Sequence, residues 1–301
     1  MTAATLAPAT PSPLGAITDS DIAELAVAAV RSEAELTPKP GLVDRRGSGA
    51  HTDMDLDVLR ASAEALREAF TECASAARQL ALGPDLRATI GLIGRAGEAR
   101  MLEATGGVNT HRGALWALGL LSAGAVTGGS LAETVDVAAR LAAIPDRHAT
   151  PTTSNGALAR RRYGARGAAD EAQSGFPHVR LHALPALHAA RRSGADESTA
   201  RLEALLALMA RLEDTCVLHR GGPDGLRAVQ SGAQAVLAAG GIGTPQGRRH
   251  FIALDDMCLT RRLSPGGSGD LLSATLFLDA LDGLFSRRFA RPERTAPPCR
   301  L

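Results

Sequence analysis

The chain has 301 residues, with 33 Lys and Arg against 32 Asp and Glu, and a formal net charge of +1. A chain of this length can bury a sizeable core, and its 45% hydrophobic and 22% charged residues exclude a disordered or fibrous protein. The small net charge and the 3% aromatic content argue against a protein that binds nucleic acid or an anionic membrane surface.

Cysteine spacing and the N-terminal sequence indicate the cellular compartment to expect for this protein. The four cysteines show no CxxC spacing, so we expect thiols in a reducing environment rather than disulfides or a zinc site. No Lys or Arg precedes Arg31, so the basic region of a secretory signal is missing. The longest run of small and apolar residues, 114–127, is too short to span a bilayer. We expect a cytoplasmic protein without membrane or nucleic-acid partners.

Between its two ends the sequence predicts one helix after another. Residues 1–17 are predicted to form a disordered arm, and residues 287–301, rich in Arg and Pro, a flexible tail. Elsewhere apolar residues recur three and four positions apart, and Gly or Pro ends each periodic stretch. The predicted helices cover residues 20–35, 56–82, 85–104, 110–123, 130–144, 179–192, 197–217, 225–239, 245–263 and 270–286.

The fold class follows from what the sequence lacks. No segment alternates with period two over the length of a strand, and runs of β-branched residues are absent. The prediction is therefore an all-α fold, a single multi-helix globular domain over residues 18–286. Most of the 32 glycines lie between the predicted helices, often beside charged or amide residues. We interpret the helices as a scaffold and the Gly-rich inter-helix loops as the functional elements.

The chain contains a single lysine, Lys39, so arginine supplies nearly all of its positive charge. A lysine retained against this background suggests a need for an ammonium group, which a guanidinium cannot replace everywhere. Pro38 and Pro40 flank Lys39 and hold its loop extended. We favour a phosphate or substrate contact for Lys39 over an exposed lysine in a linker.

The loop that follows contains two aspartates, Asp53 and Asp55, close in sequence to His51 and Asp44. A single Asp is enough to cap the next helix, and the alternative interpretation is such a cap with an additional acid in the first turn. We favour a Mg²⁺ or acid–base cluster, because one or two carboxylates together with an anionic substrate commonly hold Mg²⁺.

A second Gly-rich loop places Asn109, His111 and Arg112 before a predicted helix. Asn109 can cap this helix, which leaves two basic residues in its first turn, where positive charge opposes the helix dipole. The arrangement is favourable if a polyphosphate binds there, because backbone N–H groups and cations then converge on it. The alternative is a capped surface helix with incidental bases.

Three further loops carry weaker signals. Arg166 lies between glycines and can reach a ligand, although an incidental loop arginine is an equal alternative. Arg220 precedes Gly-Gly, which is also ordinary helix termination. Gly266 and Gly267 open an apolar helix and allow close approach of a phosphate, for which Asp270 could supply a Mg²⁺ ligand. The alternative for this loop is a flexible helix start with an ordinary cap.

Several common nucleotide and hydrolase motifs are missing from the sequence. It contains no GxxxxGK[ST], no GxGxxG after a strand, no HExxH and no GxSxG. A P-loop ATPase, a Rossmann dehydrogenase and an α/β-hydrolase are therefore disfavoured.

Five motifs occur in a fixed order along the chain: TPKPGLVD with GAHTDMD, TGGVNTHRGALWALGLL, GARG with GFPHVRLHALPAL, DTCVLHRGG, and LSPGGSGDLL. Together they resemble the triphosphoribosyl-dephospho-CoA synthase family, over about residues 20–284. The sequences at residues 45–49 and 175–178 are more similar to the branch that serves malonate decarboxylase.

The resemblance implies a transferase that moves the 5-triphosphoribosyl group of ATP to the 2′-OH of 3′-dephospho-CoA and releases adenine. The product is the prosthetic-group precursor for the acyl carrier protein of malonate decarboxylase, and a prosthetic-group transferase would receive it. The triphosphate stays intact, which agrees with the missing P-loop. The alternatives are the same activity serving citrate lyase, an all-α Mg²⁺-dependent hydrolase of a ribosyl or phosphate ester, and a non-catalytic partner of a decarboxylase complex.

Such a transfer passes through an oxocarbenium-like transition state, which requires a base, carboxylates near the sugar, and cations on the triphosphate. The candidate catalytic residues are Asp44, His51 and Glu103. The candidate substrate and phosphate ligands are Lys39, Asn109, His111, Arg112, Arg166, Arg220, Gly266 and Gly267. The candidate Mg²⁺ ligands are Asp53, Asp55 and Asp270. The hypothesis requires the inter-helix loops to meet in one pocket.

Overall fold

The structure, a computed structural model, describes residues 17–149 and 154–289. Within these ranges the chain forms helices joined by turns and loops, and an isolated bridge between Asp44 and Gly47 is the only pairing of β type. The all-α prediction is confirmed. The predicted arm, apart from Ile17, and the predicted tail after Phe289 lie outside the described residues.

The α-helices are numbered in chain order, and a π-helical turn at Val179–Ala183 leads directly into α9. Their bounds are α1 Asp19–Glu35, α2 Leu56–Ala65, α3 Arg67–Gln79, α4 Pro84–Ala104, α5 Arg112–Thr127, α6 Leu131–Ala143, α7 Asn155–Tyr163, α8 Ala168–Gln173, α9 Leu184–Arg192, α10 Glu197–Met209, α11 Thr215–Ala238, α12 Pro245–Thr260 and α13 Gly266–Phe289.

Several helix starts follow from local side-chain chemistry. The Thr18 hydroxyl accepts a hydrogen bond from the Asp21 amide at the start of α1, and the Asp21 carboxylate accepts one from the Thr18 amide. Asp196 caps α10, and Thr244 caps α12, through the same kind of side-chain acceptor. These caps satisfy amides that have no partner inside the helix, so the sequence alone can indicate them.

The predicted helix boundaries differ from the structure in three places. The predicted helix 56–82 divides at Leu66, which is fully buried where α2 turns into α3. The predicted helix 197–217 ends at Met209, because the Asp214 carboxylate caps a new helix, α11. Helices α7 and α8 were not predicted, since α7 buries only Ala159 and so lacks an apolar face that periodicity can detect.

One hydrophobic core extends from α1 to α13, and α5 runs through its centre. Helix α5 packs against α1, α3, α4, α6, α8 and α13, and 11 of its 16 residues are Leu, Ala or Gly. In the described ranges, no helix has the length and hydropathy needed to cross a membrane. The packing of α1, α5 and α13 on one another brings the end of α1 to the starts of α5 and α13.

The thiol prediction holds for the cysteines that the structure describes. Cys73, Cys216 and Cys258 are free thiols. Burial raises the pKa of Cys73 and of Cys258 to about 12 in each case, so neither is a reactive thiolate near neutral pH. Cys299 lies outside the described residues.

Candidate functional site

The loop after α1 is fastened to the segment that precedes α13. Gly41 has a φ of 68°, and a Cβ at this position would overlap the carbonyl oxygen of Leu263. The Gly41 amide donates to Oδ1 of Asp255 on α12 at 3.2 Å. Only glycine fits this approach, which fixes the position of the loop that carries Lys39.

Lys39 is a buried residue with a defined partner. Its side chain is 1% exposed, and Nζ donates to Oε1 of Glu33 and to the Glu33 carbonyl oxygen, each at 2.7 Å. The alternative of an exposed linker lysine is therefore excluded. A buried ammonium in this position neutralises a carboxylate that would otherwise be unpaired in the core.

Glu33 and Lys39 belong to a group of buried or partly buried polar residues that we call the carboxylate cluster, which comprises Glu33, Lys39, His111, Asp214 and Asp270. Its members come from the end of α1, the loop that follows, and the starts of α5, α11 and α13. The cluster therefore lies where several of the inter-helix segments meet, and whether this place forms the substrate pocket stays a prediction.

Asp270 connects α13 to the start of α5. Its Oδ1 accepts a hydrogen bond from the Ala114 amide at 2.9 Å, and a Cβ on Gly113 would overlap Oδ2. Helix α5 has no cap from its own sequence, because the side chain of His111 at the N-cap position does not bond to the amides of the first turn. The predicted cap by Asn109 is wrong, and Asp270 supplies the missing acceptor from a distant part of the chain.

Asp214 holds the starts of α11 and α13 together. It accepts hydrogen bonds from the amides of Cys216 and Val217 on α11 at 2.9 and 3.3 Å. It also accepts from the Gly267 and Ser268 amides, at 3.3 and 2.8 Å, and from the Ser268 hydroxyl at 3.0 Å. The Gly267 amide proposed for phosphate thus faces a carboxylate of the protein itself.

Two carboxylates of the cluster, Asp214 and Asp270, favour protonation. Burial raises the pKa of Asp270 well above its usual range, and the negative charges of Glu33 and Asp214 raise it further. Burial also raises the pKa of Asp214. Lys39 is the one Lys or Arg among the cluster residues, and its partner is Glu33, so Asp270 is suited to donate a proton.

His111 enters the cluster as a neutral imidazole. It is 4% exposed, and burial lowers its pKa to about 4, with a further contribution from the Lys39 charge. Its Nδ1 lies 2.7 Å from the Ser62 hydroxyl, which in turn lies 2.5 Å from the Thr110 hydroxyl. Near neutral pH His111 can therefore hydrogen-bond a substrate but cannot attract a phosphate by charge.

A second set of predicted residues, the His51 group, comprises His51, Asp53, Arg220 and Ser264. Nε2 of His51 lies 2.8 Å from the Ser264 hydroxyl, and Nδ1 lies 3.0 Å from Nη2 of Arg220. Oδ1 of Asp53 is 3.6 Å from Nδ1, and the Asp53 side chain is 60% exposed. Burial, together with the charge of Arg220, lowers the pKa of His51.

Cys216 lies between the two sets. A Cβ on Gly266 would be 3.1 Å from its sulfur. Burial raises the pKa of the Cys216 thiol, the charges of Asp214 and Asp270 raise it further, and Arg220 opposes them. The carboxylate cluster and the His51 group therefore both lie at the start of α13, and we call the region that holds the two sets the seam. The seam contains these predicted residues: Lys39, His51, Asp53, His111, Arg220, Gly266, Gly267 and Asp270.

Two of the predicted carboxylates have structural partners outside the cluster. Asp44 is buried and accepts hydrogen bonds from the Lys39 amide at 2.8 Å and from the guanidinium of Arg46, which also pairs with Asp255 at 2.5 Å. Asp55 caps α2 by accepting from the Val58 amide at 2.9 Å. Asp44 therefore shapes the Lys39 loop, and its catalytic role stays a prediction.

The remaining predicted residues point to solvent or to other partners. Glu103 and Asn109 are exposed. Arg112 pairs with Glu98 on α4. Arg166 is exposed, and its amide donates to Oε2 of Glu213 at 2.7 Å, next to the start of α11. The roles assigned to these residues stay predictions.

The three predicted Mg²⁺ ligands do not form a shared site. Asp55 caps α2, Asp270 contacts the start of α5, and Asp53 lies beside His51. Over residues 17–149 and 154–289, no three His, Cys, Asp or Glu side chains are arranged to hold a metal ion. These residues therefore do not fit a resident metal centre.

Sequence reasoning missed Glu33 and gave Asp214 little weight. Glu33 carried a usable signal, because it continues the buried face of α1 formed by Ile22, Ala26 and Val30 at helical spacing. A charged residue at a core position requires a partner, and Lys39 follows it closely in the sequence. Ser62, which bonds His111 from α2, carried no such signal.

Comparison with known proteins identifies the family. A family model described as ATP:dephospho-CoA triphosphoribosyl transferase (CitG) matches residues 19–289. A probable 2-(5''-triphosphoribosyl)-3'-dephosphocoenzyme-A synthase of Azotobacter vinelandii is 58% identical over 266 residues, covering 86% of this chain and 91% of the relative. A relative of the same name from Stutzerimonas stutzeri is 55% identical, and the alignment covers 86% of this chain and 91% of the relative. Another from Pseudomonas putida is 53% identical, and the alignment covers 87% of this chain and 95% of the relative. No solved structure matches the chain. The resemblance seen in the five motifs is confirmed: the chain belongs to the ATP:dephospho-CoA triphosphoribosyl transferase family of enzymes.

Proposed function

We propose that this chain transfers the 5-triphosphoribosyl group of ATP to the 2′-OH of 3′-dephospho-CoA and releases adenine. One observation carries the proposal: the family match over residues 19–289 includes every helix and loop that contributes to the carboxylate cluster and the His51 group. A seam of carboxylates with cations at its edge suits a reaction in which positive charge develops on a ribose that carries a polyphosphate.

In the proposed reaction the bond from the ribose anomeric carbon to adenine breaks, and a bond from that carbon to the 2′-oxygen of dephospho-CoA forms. The hydroxyl proton goes to a base of the enzyme, and the departing adenine takes up a proton. Asp270 is our choice for the acid that protonates the departing adenine, because burial and the nearby charges of Glu33 and Asp214 raise its pKa and favour its protonated form. Asp44, His51 and Glu103 stay the candidates for the base. The carboxylate of Glu33 is proposed to lie beside the oxocarbenium-like sugar, with Lys39 holding it in position through their buried ion pair.

Arg220 and His51 are proposed to contact phosphate oxygens at the outer end of the seam, where Arg220 is exposed. We propose that Mg²⁺ enters with ATP as part of the substrate, since the described residues offer it no ligand cage. Phosphate oxygens, water and one or two carboxylates are sufficient to hold Mg²⁺.

We further propose that the product serves the acyl carrier protein of malonate decarboxylase rather than that of citrate lyase, after passing to a prosthetic-group transferase in the cytoplasm. The support is the sequence at residues 45–49 and 175–178. Arg46 in the first of these segments connects Asp44 to Asp255 and so shapes the Lys39 loop. Deleting the gene for this chain in its host and measuring which acyl carrier protein loses its prosthetic group tests this choice, and a loss from the citrate lyase protein alone would contradict it.

The activity is tested by incubating purified protein with ATP, Mg²⁺ and dephospho-CoA and measuring the adduct and free adenine by mass spectrometry. Both products are expected only when the acceptor is present. Adenine release without acceptor would indicate the hydrolase alternative, and ATP binding without turnover would indicate a non-catalytic partner. Asp270→Asn is expected to lower the rate by roughly 10²–10⁴-fold. Asp282→Asn, an exposed residue of the same helix, is the matched control and is expected to retain the wild-type rate.

A further inference from the structure

The interface between α4 and α5 holds three arginines with more donors than acceptors. Arg87 and Arg95 lie on α4, and Arg112 is the first residue of α5. In the part of the chain that the structure describes, the buried side-chain nitrogens without a hydrogen-bond partner all belong to these residues or to Arg100. They are Nε and Nη1 of Arg87, Nη2 of Arg95, Nε of Arg112 and Nε of Arg100. Buried donors are rarely left unpaired, so the interface has an unused capacity for an acceptor.

The neighbouring carboxylates do not balance these arginines. Oδ2 of Asp146 lies 2.7 Å from Arg95 and 3.7 Å from Nη1 of Arg87, and Glu98 pairs with Arg112. Two carboxylates thus face three guanidinium groups. Burial lowers the pKa of Arg87, and although Asp146 opposes the shift, the positive charge of Arg95 adds to it. An additional anion would relieve this repulsion.

The same arginines border an aromatic ring and open space. Arg87 is 6% exposed, and its guanidinium carbon lies 5.2 Å from the centre of the Trp116 ring. The side chains of Arg95 and Arg112 are each 34% exposed, and no atom lies within 4 Å of where a Cβ on Gly94 would stand. A ligand can therefore approach Arg95 and Arg112 from solvent, with Arg87 and Trp116 as the inner wall.

We call the region bordered by Arg87, Arg95, Arg112 and Trp116 the groove, and it lies close to the carboxylate cluster along α5. Arg112 and Trp116 are one turn apart on α5, and Gly113, which contacts Asp270, lies between them in the sequence. One helical turn spans roughly 5.4 Å. A nucleotide whose ribose lies at Asp270 can therefore extend its phosphates along the groove.

We propose that Arg87, Arg95 and Arg112, with Trp116, form a subsite for the polyphosphate chain of a nucleotide substrate. The inference rests on the proposed function, and it extends the phosphate role predicted for Arg112 to two arginines of α4. The triphosphate of ATP and the diphosphate of dephospho-CoA share the required chemistry, since planar guanidinium groups bind phosphate oxygens through paired hydrogen bonds.

Trp116 is the only tryptophan in the chain, so its fluorescence reports on this groove. The test is a fluorescence titration at constant ionic strength with inorganic tripolyphosphate and, separately, with inorganic pyrophosphate. We expect a saturable change for at least one probe. Tighter binding of tripolyphosphate, with a raised KM for ATP in Arg95→Gln, assigns the groove to the triphosphate. Tighter binding of pyrophosphate, with a raised KM for dephospho-CoA, assigns it to the diphosphate.

Arg87→Gln and Arg95→Gln are each expected to weaken binding by about tenfold or more, because each removes charged hydrogen bonds. Arg100→Gln is the matched control, since Arg100 is also on α4 and also has a buried unpaired Nε, but it pairs with Glu68 and Glu72 on α3. It is expected to bind as the wild type does. If circular dichroism shows that Arg87→Gln does not fold, the probe affinity of Arg95→Gln alone tests the proposed subsite.

The subsite is overturned if neither probe gives a saturable change, or if Arg95→Gln binds as tightly as the wild type. Saturable binding by a protein that forms no adduct would contradict the proposed function and leave the subsite in place. Adduct formation without probe binding would contradict the subsite alone.

Discussion

Replacing Lys39 by Met tests whether the Lys39–Glu33 pair stabilises the seam. Lys39→Met keeps most of the side-chain volume but removes the ammonium that donates to Oε1 and to the carbonyl oxygen of Glu33, each at 2.7 Å. The Glu33 carboxylate then remains buried without its cation. Because the pair is almost completely buried, water does not replace the lost partner.

The expected cost follows from this burial. Removing one partner of a buried ion pair costs about 3–5 kcal/mol, whereas an exposed pair contributes about 0–1 kcal/mol. The double variant Lys39→Met with Glu33→Gln leaves no unpaired charge, so it is expected to regain part of the lost stability. Arg140→Met is the matched control, because Arg140 forms an exposed pair with Asp136, and a change below about 1 kcal/mol is expected.

Urea unfolding, followed by circular dichroism and by the fluorescence of the single tryptophan, measures these free energies. The reasoning is refuted if Lys39→Met unfolds at the wild-type midpoint, or if the double variant is no more stable than the single one. Either result would mean that the ammonium does not compensate the Glu33 charge.

Three further predictions concern the same seam. Lys39→Arg keeps the charge but is expected to lose most of the transferase activity, because the larger guanidinium does not fit a site that is 1% exposed; wild-type turnover would contradict this. Gly113→Ala is expected to destabilise the protein by about 1–3 kcal/mol in thermal unfolding, because the new Cβ displaces Asp270. Gly119→Ala on the same helix is the control: its Cβ would lie 3.5 Å from the sulfur of Cys73, so the change should be neutral or stabilising. Burial lowers the pKa of His111 from 6.5 to about 4, so the unfolded chain binds more protons than the folded protein between these pH values. The free energy of unfolding should therefore fall by up to about 3 kcal/mol as the pH drops from 6.5 to 4. This loss should be absent in His111→Gln, and an equal loss in that variant would exclude His111 as its source.

The start of α11 shows what the local sequence can and cannot predict. The segment 197–217 has helical composition throughout, and periodicity alone continues one helix through it. The carboxylate of Asp214 instead bonds the amides of Cys216 and Val217, which ends one helical path and starts another. The same carboxylate bonds Gly267 and Ser268, more than fifty positions away, and no local rule anticipates that second pairing.

Lys39 illustrates an inference that the sequence could support only in part. Its isolation among arginines led us to expect a phosphate or substrate contact, and the structure instead shows a buried ion pair with Glu33. The partner was identifiable in principle, since Glu33 lies on the apolar face of α1. The proximity of Glu33 to Asp270 depends on how α1 packs against α13.

The amino-acid sequence predicted most of the helices and the loops between them, because periodicity, caps and helix-ending glycines act over a few residues. It also determined the family, through five motifs in those loops. The tertiary structure alone decided which groups meet: Asp270 reaches the Ala114 amide across 156 positions, and Arg87 lies against Trp116. Such contacts are set by the packing of helices that are distant in sequence, and burial in that packing is what shifts the proton affinities of the carboxylates and leaves the arginines without acceptors.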